Sequence, residues 1–287
     1  MGAIFYLVCL YLFICLGLAL FLHRFPRKPV SEKPDWGTVE DTIVDTRSDA
    51  RDGGLLEVWR VWPDDEVRGM ALMAHGWSRN RDKMTPRARN LGRMGFVTVL
   101  PSFRDHGHSS KYAFAGVKSF ADDIGILLRW LGQPVVLYGH SAGAGAAILA
   151  ASKNPSLVRL LILEGCYAHT RRALWRLYGS MNRVFGLLFG PGLLLWAEIF
   201  SGFRLGDYSP VRLAPKTDIP VLIIHGQMDE KFPVRWARQL EKAFPLGRAR
   251  VYIGNNSTHT QTGETIQCQE AVRDFVEECW QTGRLKA

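Results

Sequence analysis

Residues 135–147, VVLYGHSAGAGAA, carry the strongest chemical signal in the chain. An apolar run enters Gly139-His140-Ser141-Ala142-Gly143, and a stretch of small, helix-compatible residues leaves it. G-x-S-x-G between a strand and a helix is a nucleophile elbow, a sharp turn that exposes the serine hydroxyl. Gly139 and Gly143 remove the Cβ atoms that would crowd such a turn. The helix N-terminus that follows aims backbone N–H groups at developing negative charge. A serine hydroxyl is a weak nucleophile until a base takes its proton and an acid orients that base. Both are expected downstream, in loops after strands. Asp229 lies in His225-Gly226-Gln227-Met228-Asp229-Glu230, just past the apolar run Pro220–Ile224. His259 closes Gly254-Asn255-Asn256-Ser257-Thr258-His259, after the last strand candidate. Ser141, Asp229 and His259 are therefore the expected catalytic residues, with Glu230 and Glu164 as alternative acids. Two backbone donors should hold the oxyanion: the N–H of Ala142, and that of Trp77, where Gly76 permits close approach.

The other histidines are expected to pack or to hydrogen-bond. That holds for His75, His140 and His225. His106 and His108 lack a third ligand at suitable spacing and there is no H-E-x-x-H, so no metal is expected. Nothing in the pattern calls for a cofactor.

Positioning these residues requires a sheet. Strand candidates are Val39–Asp45, Leu55–Trp62, Arg68–Ala74, Phe96–Leu100, Val135–Tyr138, Leu160–Leu163, Val221–Ile224 and Ala249–Ile253. MALMA, VVLY, LLIL and VLII are continuous apolar runs, as expected of parallel strands covered on both faces. Helices are expected at 83–94, 118–131, 142–152, 234–243 and 265–280. The alternation predicts an α/β fold.

More than fifty residues separate Glu164 from Val221, too many for a plain connection. The segment holds Arg171-Arg172-Ala173-Leu174-Trp175 and then Val184–Phe200, where Glu198 is the only charge. Gly190-Pro191-Gly192 is expected to split that run into two short helices, leaving too little for a second membrane span. A cap over the sheet edge, at about 167–208, is the expectation. Trp175, Leu194 and Trp196 are its candidate substrate contacts, and an acyl chain under the cap would favour longer esters.

Composition sets the remaining bounds. The 287 residues are 47% hydrophobic and 22% charged, which is globular and excludes a disordered chain. Five cysteines without a C-x-x-C pair suit a reducing compartment rather than a disulfide scaffold. Net charge is +9, but 36 basic residues are scattered among 27 acidic ones, so nucleic-acid binding is not expected. Residues 3–22 form an uncharged run of 20, enough to cross a ~30 Å hydrocarbon core. No basic residue precedes the run, whereas Arg24, Arg27, Lys28 and Lys33 follow it. That arrangement disfavours a cleaved signal and places the remaining chain on the cytoplasmic side of a single-pass anchor. The expected organisation is residues 1–28 as anchor and basic flank, 29–37 as linker, and 38–287 as the catalytic domain.

Over residues 38–280 the chain resembles the α/β-hydrolase superfamily, and is similar to its small membrane-anchored bacterial members. The matching motifs are His75-Gly76-Trp77, Gly139-His140-Ser141-Ala142-Gly143, His225-Gly226-x-x-Asp229-x-x-x-Pro233 and His259. Residues 102–109, SFRDHGHS, resemble the D-x-R-G-x-G-x-S loop but carry Ser102 for Asp and Asp105 for Gly. The resemblance implies eight mostly parallel strands with a helical cap after strand six. Serine disfavours the dehalogenases and epoxide hydrolases of this fold, which use an aspartate. Hydrolysis of a carboxylic ester or thioester with an apolar acyl group is the leading expectation. A serine peptidase or amidase on short peptides, which would need a cap carboxylate such as Glu198, is one alternative; a non-catalytic binding scaffold is the other.

Overall fold

A computed structural model describes residues 2–23, 30, 32–47, 53–112 and 115–282. The flanking charges Arg24, Arg27 and Lys28 lie outside them. Helix α1 (Gly2–His23) precedes an eight-stranded sheet: β1 (Thr38–Asp45), β2 (Leu55–Trp62), β3 (Gly69–Ala74), β4 (Phe96–Pro101), β5 (Val135–His140), β6 (Val158–Glu164), β7 (Val221–Gly226) and β8 (Ala249–Gly254). Their spatial order is β1-β2-β4-β3-β5-β6-β7-β8. The β1–β2 and β2–β4 pairs are antiparallel, and every later pair is parallel. All eight strands fall where the apolar runs place them.

The central strands are covered on both faces, which is why they read as unbroken apolar runs. On one face, α2 (Thr85–Gly92) and α9 (Ile266–Gln281) pack Ala88, Leu91, Val272 and Phe275 onto Met73, Tyr138, Ile162 and Ile224. On the other, α3 (Val117–Leu131), α4 (Ala142–Lys153) and α8 (Arg235–Ala243) bury Phe120, Ile124, Ile148 and Leu240 against Leu72, Leu137, Leu161 and Ile223. The strands end at one edge, so the loops after β3, β5, β7 and β8 converge there.

The cap departs from the sequence reading in one respect. It consists of α5 (Thr170–Met181), α6 (Arg183–Phe200) and the short α7 (Pro210–Leu213). Gly190-Pro191-Gly192 does not divide it, because α6 runs unbroken through all three residues. The division lies at Asn182, whose side chain accepts from the N–H groups of Val184 and Phe185 at 2.8 and 3.2 Å. This is an N-cap, the usual role of asparagine before a helix. The glycines instead thin the helix where others touch it. A Cβ at Gly186 would lie 2.6 Å from Gly179 Cα on α5, and one at Gly190 would lie 2.9 Å from the Trp175 ring. A Cβ at Gly192 would overlap Cys15 of α1.

The elbow itself is the tightest point. Ser141 sits at φ 55°, a left-handed conformation that costs an L-residue of order 1–3 kcal/mol. A Cβ at Gly139 would lie 2.6 Å from Ala144 Cα, and one at Gly143 would overlap the carbonyls of Ala74 and His75. Substituting Gly143→Ala should therefore lower unfolding stability by about 1–3 kcal/mol, as overpacking does. Urea denaturation of the variant checks this, and an unchanged midpoint would contradict the close approach of α4 to β3.

Candidate active site

Each expected member of the triad arrives from a different strand end. Ser141 leaves β5, its N–H donating to the Glu164 carbonyl of β6 at 2.8 Å. Asp229 follows β7 and His259 follows β8. The Ser141 hydroxyl lies 2.9 Å from His259 Nε2, and His259 Nδ1 lies 2.7 Å from Asp229 Oδ2. With the proton on Nδ1, the imidazole donates to the carboxylate and accepts from serine, a pairing that can move a proton off the hydroxyl. Asp229 Oδ1 accepts from the N–H groups of Lys231 and Phe232, each at 2.8 Å, so the carboxylate is locked on both oxygens. Burial alone would raise the Asp229 pKa, but the hydrogen bond and charge of His259 outweigh it and hold the group lowered.

The alternative acids stand elsewhere. Glu230 reaches only the His259 backbone N–H, at 3.4 Å. Glu164 is fully buried and committed to Arg87, which grips both its oxygens at 2.6 and 2.7 Å. It also accepts from the Tyr138 hydroxyl at 2.8 Å and the Gly263 N–H at 2.9 Å. Burial would raise its pKa, yet the Arg87 charge wins and holds it at about 2.

This pair does a job that sequence reasoning did not find. Arg87 also donates to the Thr260 carbonyl at 2.7 Å and to Glu264 at 2.8 Å. His140 Nε2 donates to the His259 carbonyl at 3.1 Å. The loop carrying His259 is thus tied on one flank to the nucleophile strand and on the other to Arg87–Glu164. Arg87 lies 77 residues from its partner, and no local pattern in the α2 segment TPRARN marks it out.

The loop after β3 lies against the elbow. A Cβ at Gly76 would stand 3.3 Å from Ser141 Cβ, so the loop that carries Trp77 lies close against the elbow. His75 is buried; its Nδ1 donates to the Gly76 carbonyl at 2.9 Å and its Nε2 accepts from the Phe103 N–H at 3.0 Å. His106 accepts from the Ser78 N–H at 3.1 Å and also lies 3.1 Å from the Arg104 carbonyl, so its ring is occupied by backbone. Asp105, where the resembling loop carries glycine, has φ 67°, which an aspartate tolerates better than most side chains.

The cap candidates separate. Trp175 and Leu194 line a cleft of about 490 Å³ with Trp236, Gln239 and four arginines: Arg171, Arg172, Arg176 and Arg235. Trp236 stacks on Phe232, whose ring meets that of His259 at 5.3 Å. Trp196 does not reach this cleft. Its indole N–H donates to the Leu12 carbonyl of α1 at 3.0 Å, and its ring stacks on Phe200. The cleft is accordingly richer in positive charge than the apolar sequence of the cap predicts, because the arginines come from α5 and α8.

Residues 71–268 match the family model of the alpha/beta hydrolase family, and the chain belongs to that family. It is 30% identical over 268 residues to a monoglyceride lipase homolog of Monkeypox virus, covering 79% of this chain and 94% of that one. It is 23% identical to a monoacylglycerol lipase of Mycolicibacterium smegmatis, over 69% of this chain and 85% of the relative. Among solved structures, an esterase of Pyrococcus furiosus superposes with TM-score 0.68 at 16% identity, over 88% of this chain and 96% of its own. Alpha/beta hydrolase domain-containing protein 10 from mouse gives 0.66 at 16% identity, over 85% and 99%. These structural likenesses establish the same fold.

Burial of the histidines sets a pH dependence. His140 is held at about 4, chiefly by burial, so it folds in its neutral form. The unfolded chain binds that proton from about pH 6.5 downward, and stability supplied by the neutral ring is lost between 6.5 and 4. Glu164, held at about 2, contributes stability that is complete above its usual value of 4.5 and lost as the pH falls toward 2. The melting temperature should fall in both windows, continuously from pH 6.5 downward. A melting temperature constant from pH 7 to 4 would contradict the neutral burial of His140.

Proposed function

We propose that the protein is a serine ester hydrolase acting through an acyl-enzyme, with Ser141 as nucleophile, His259 as general base and Asp229 as the residue orienting the imidazole. The observation that carries this reading is the unbroken chain of 2.9 and 2.7 Å contacts from hydroxyl through imidazole to carboxylate. Ser141 Oγ attacks the ester carbonyl while His259 Nε2 takes its proton. The backbone N–H groups of Trp77 and Ala142 receive the negative charge on the carbonyl oxygen. The imidazolium returns the proton to the departing alkoxide, leaving acyl on Ser141. Water then repeats the sequence and frees the acid. Asp229 stabilises the imidazolium without itself taking the proton.

The lipase names of the curated relatives favour an ester of an apolar acyl chain, and Trp175, Leu194 and Trp236 supply apolar surface in the cleft for one. The peptidase reading loses support, because Glu198 is already paired with Arg171 and accepts from the Leu205 N–H at 3.3 Å. No cap carboxylate is left there to receive a peptide amine. A binding scaffold is disfavoured by a triad with every member in hydrogen-bond reach. We further infer that α1, uncharged and 22 residues long, anchors the chain in a membrane with the catalytic domain on the cytoplasmic side.

Ser141→Ala and His259→Ala should each lower kcat by several orders of magnitude, and the double variant should lose little more, because the residues act as a unit. Labelling of the parent, but not of Ser141→Ala, by a fluorophosphonate probe is the direct check. Full esterase activity in Ser141→Ala would overturn the assignment. Acyl preference has its own measurement: each buried methylene is worth about 0.8 kcal/mol, or roughly four-fold in kcat/KM. Leu194→Glu should reduce kcat/KM for octanoate esters far more than for acetate, at unchanged melting temperature. An equal loss for both esters would remove the cleft as the acyl site.

A further inference from the structure

Helix α1 does not stand clear of the domain. Residues 2–10 are all exposed, but from Tyr11 to His23 one side of the helix lies along the cap. Cys15 and Ala19 are buried there, with Leu193 and Tyr178 of the cap in the same cluster as Ala19. At 1.5 Å per residue the nine free residues span only about 14 Å, half of a hydrocarbon core of ~30 Å. If α1 crosses a bilayer, Tyr11–Leu22 must occupy the leaflet nearer the domain. Whatever is packed against those residues is then in that leaflet too.

What is packed there is α6, and the joint is built rather than incidental. Pro191 lies inside the continuous α6, and the Tyr11 hydroxyl stands between the backbone groups of Leu188 and Gly192 one turn apart. Gly192 N–H donates to Tyr11 Oη at 3.2 Å, and Tyr11 Oη donates to the Leu188 carbonyl at 2.9 Å. Such a polar group satisfies backbone beside a proline that a membrane cannot hydrate. The Trp196 indole bond to Leu12 adds a third polar tie. Among the exposed apolar residues are Val184, Leu187, Leu188, Leu195 and Ile199 of α6 and Phe13, Ile14 and Phe21 of α1. Both helices are long and apolar enough to cross a membrane. Beside this surface, the cleft arginines of α5 and α8 supply positive charge where anionic headgroups would lie.

We propose that α1 and α6 enter the membrane as one unit, so that the cap lies in the near leaflet with its arginines at anionic headgroups. The reading rests on α1 being a membrane anchor. His23, at the end of α1, donates through Nδ1 to the Ala115 carbonyl at 3.1 Å and sets its ring against Trp77 at 5.8 Å, next to the loop that flanks Ser141. A bilayer ester would then reach Ser141 without passing through bulk water.

Lipid-depth quenching of the full chain tests this. In a Cys9→Ser background, a fluorophore is placed on Phe5→Cys, Leu187→Cys or Leu246→Cys, in vesicles of phosphatidylcholine and phosphatidylglycerol carrying acyl-chain spin labels. Positions 5 and 187 should lose fluorescence to the spin-labelled lipid, with 187, beside the Tyr11 contact near the bilayer centre, quenched more by the deeper label, and the fully exposed 246 should not. Quenching at 5 without quenching at 187 would leave the anchor standing and overturn the immersed cap. Quenching at neither would remove the anchor reading itself. A probe at 187 that is shielded equally in detergent and vesicles, and unquenched, would mean that a second copy of the chain covers α6, and would overturn the proposal.

Discussion

The ion pair between Arg87 and Glu164, sealed beneath the site, is the constraint on which the rest of the arrangement depends. A buried pair of this kind contributes little net stability, because desolvating two charges offsets most of their attraction. Its effect is on geometry. Arg87 can hold Glu164 only if α2 and the end of β6 keep one separation, and the same guanidinium reaches the Thr260 carbonyl beside His259. Glu164 in turn fixes Gly263 through its side chain and Ser141 through its backbone. Ser141 and His259 therefore share one anchor, although they lie 118 residues apart.

The elbow adds a local constraint of opposite kind. Where the ion pair holds elements together, the missing Cβ atoms at Gly139 and Gly143 allow α4 to close on β3 and β5. Backbone strain at Ser141 is tolerated because flanking hydrogen bonds over-determine the turn. The outcome is a hydroxyl held at the sheet edge within hydrogen-bond reach of His259.

The cap obeys other physics. Its helices are joined to each other through glycine and to α1 through a tyrosine hydroxyl, which are devices for close apolar packing. The sheet positions Ser141, Asp229 and His259, while the cap and α1 pack on one another beside the edge where they meet. The arginines lining the cleft give it a charge that the apolar sequence of α6 conceals.

The eight strands, the elbow and the order Ser141, Asp229, His259 were legible in the chain, since each depends on local pattern: continuous apolar runs, two glycines around a serine, polar residues just past a strand. The same locality explains what was misread. Gly190-Pro191-Gly192 has the composition of a helix break, yet the helix continues there, packed against α5 and bonded to the hydroxyl of Tyr11, 181 residues away from Gly192. Trp196, a candidate substrate contact on the sequence, gives its indole N–H to the Leu12 carbonyl of α1, a partner that spacing along the chain does not indicate. Arg87 carried no signal at all, because a buried charge is recognisable only by the partner that neutralises it. Sequence by itself determined which residues could form the site and on which elements; the tertiary structure alone decided which distant side chains fill the gaps between them, because those contacts arise from three-dimensional closure rather than from spacing along the chain.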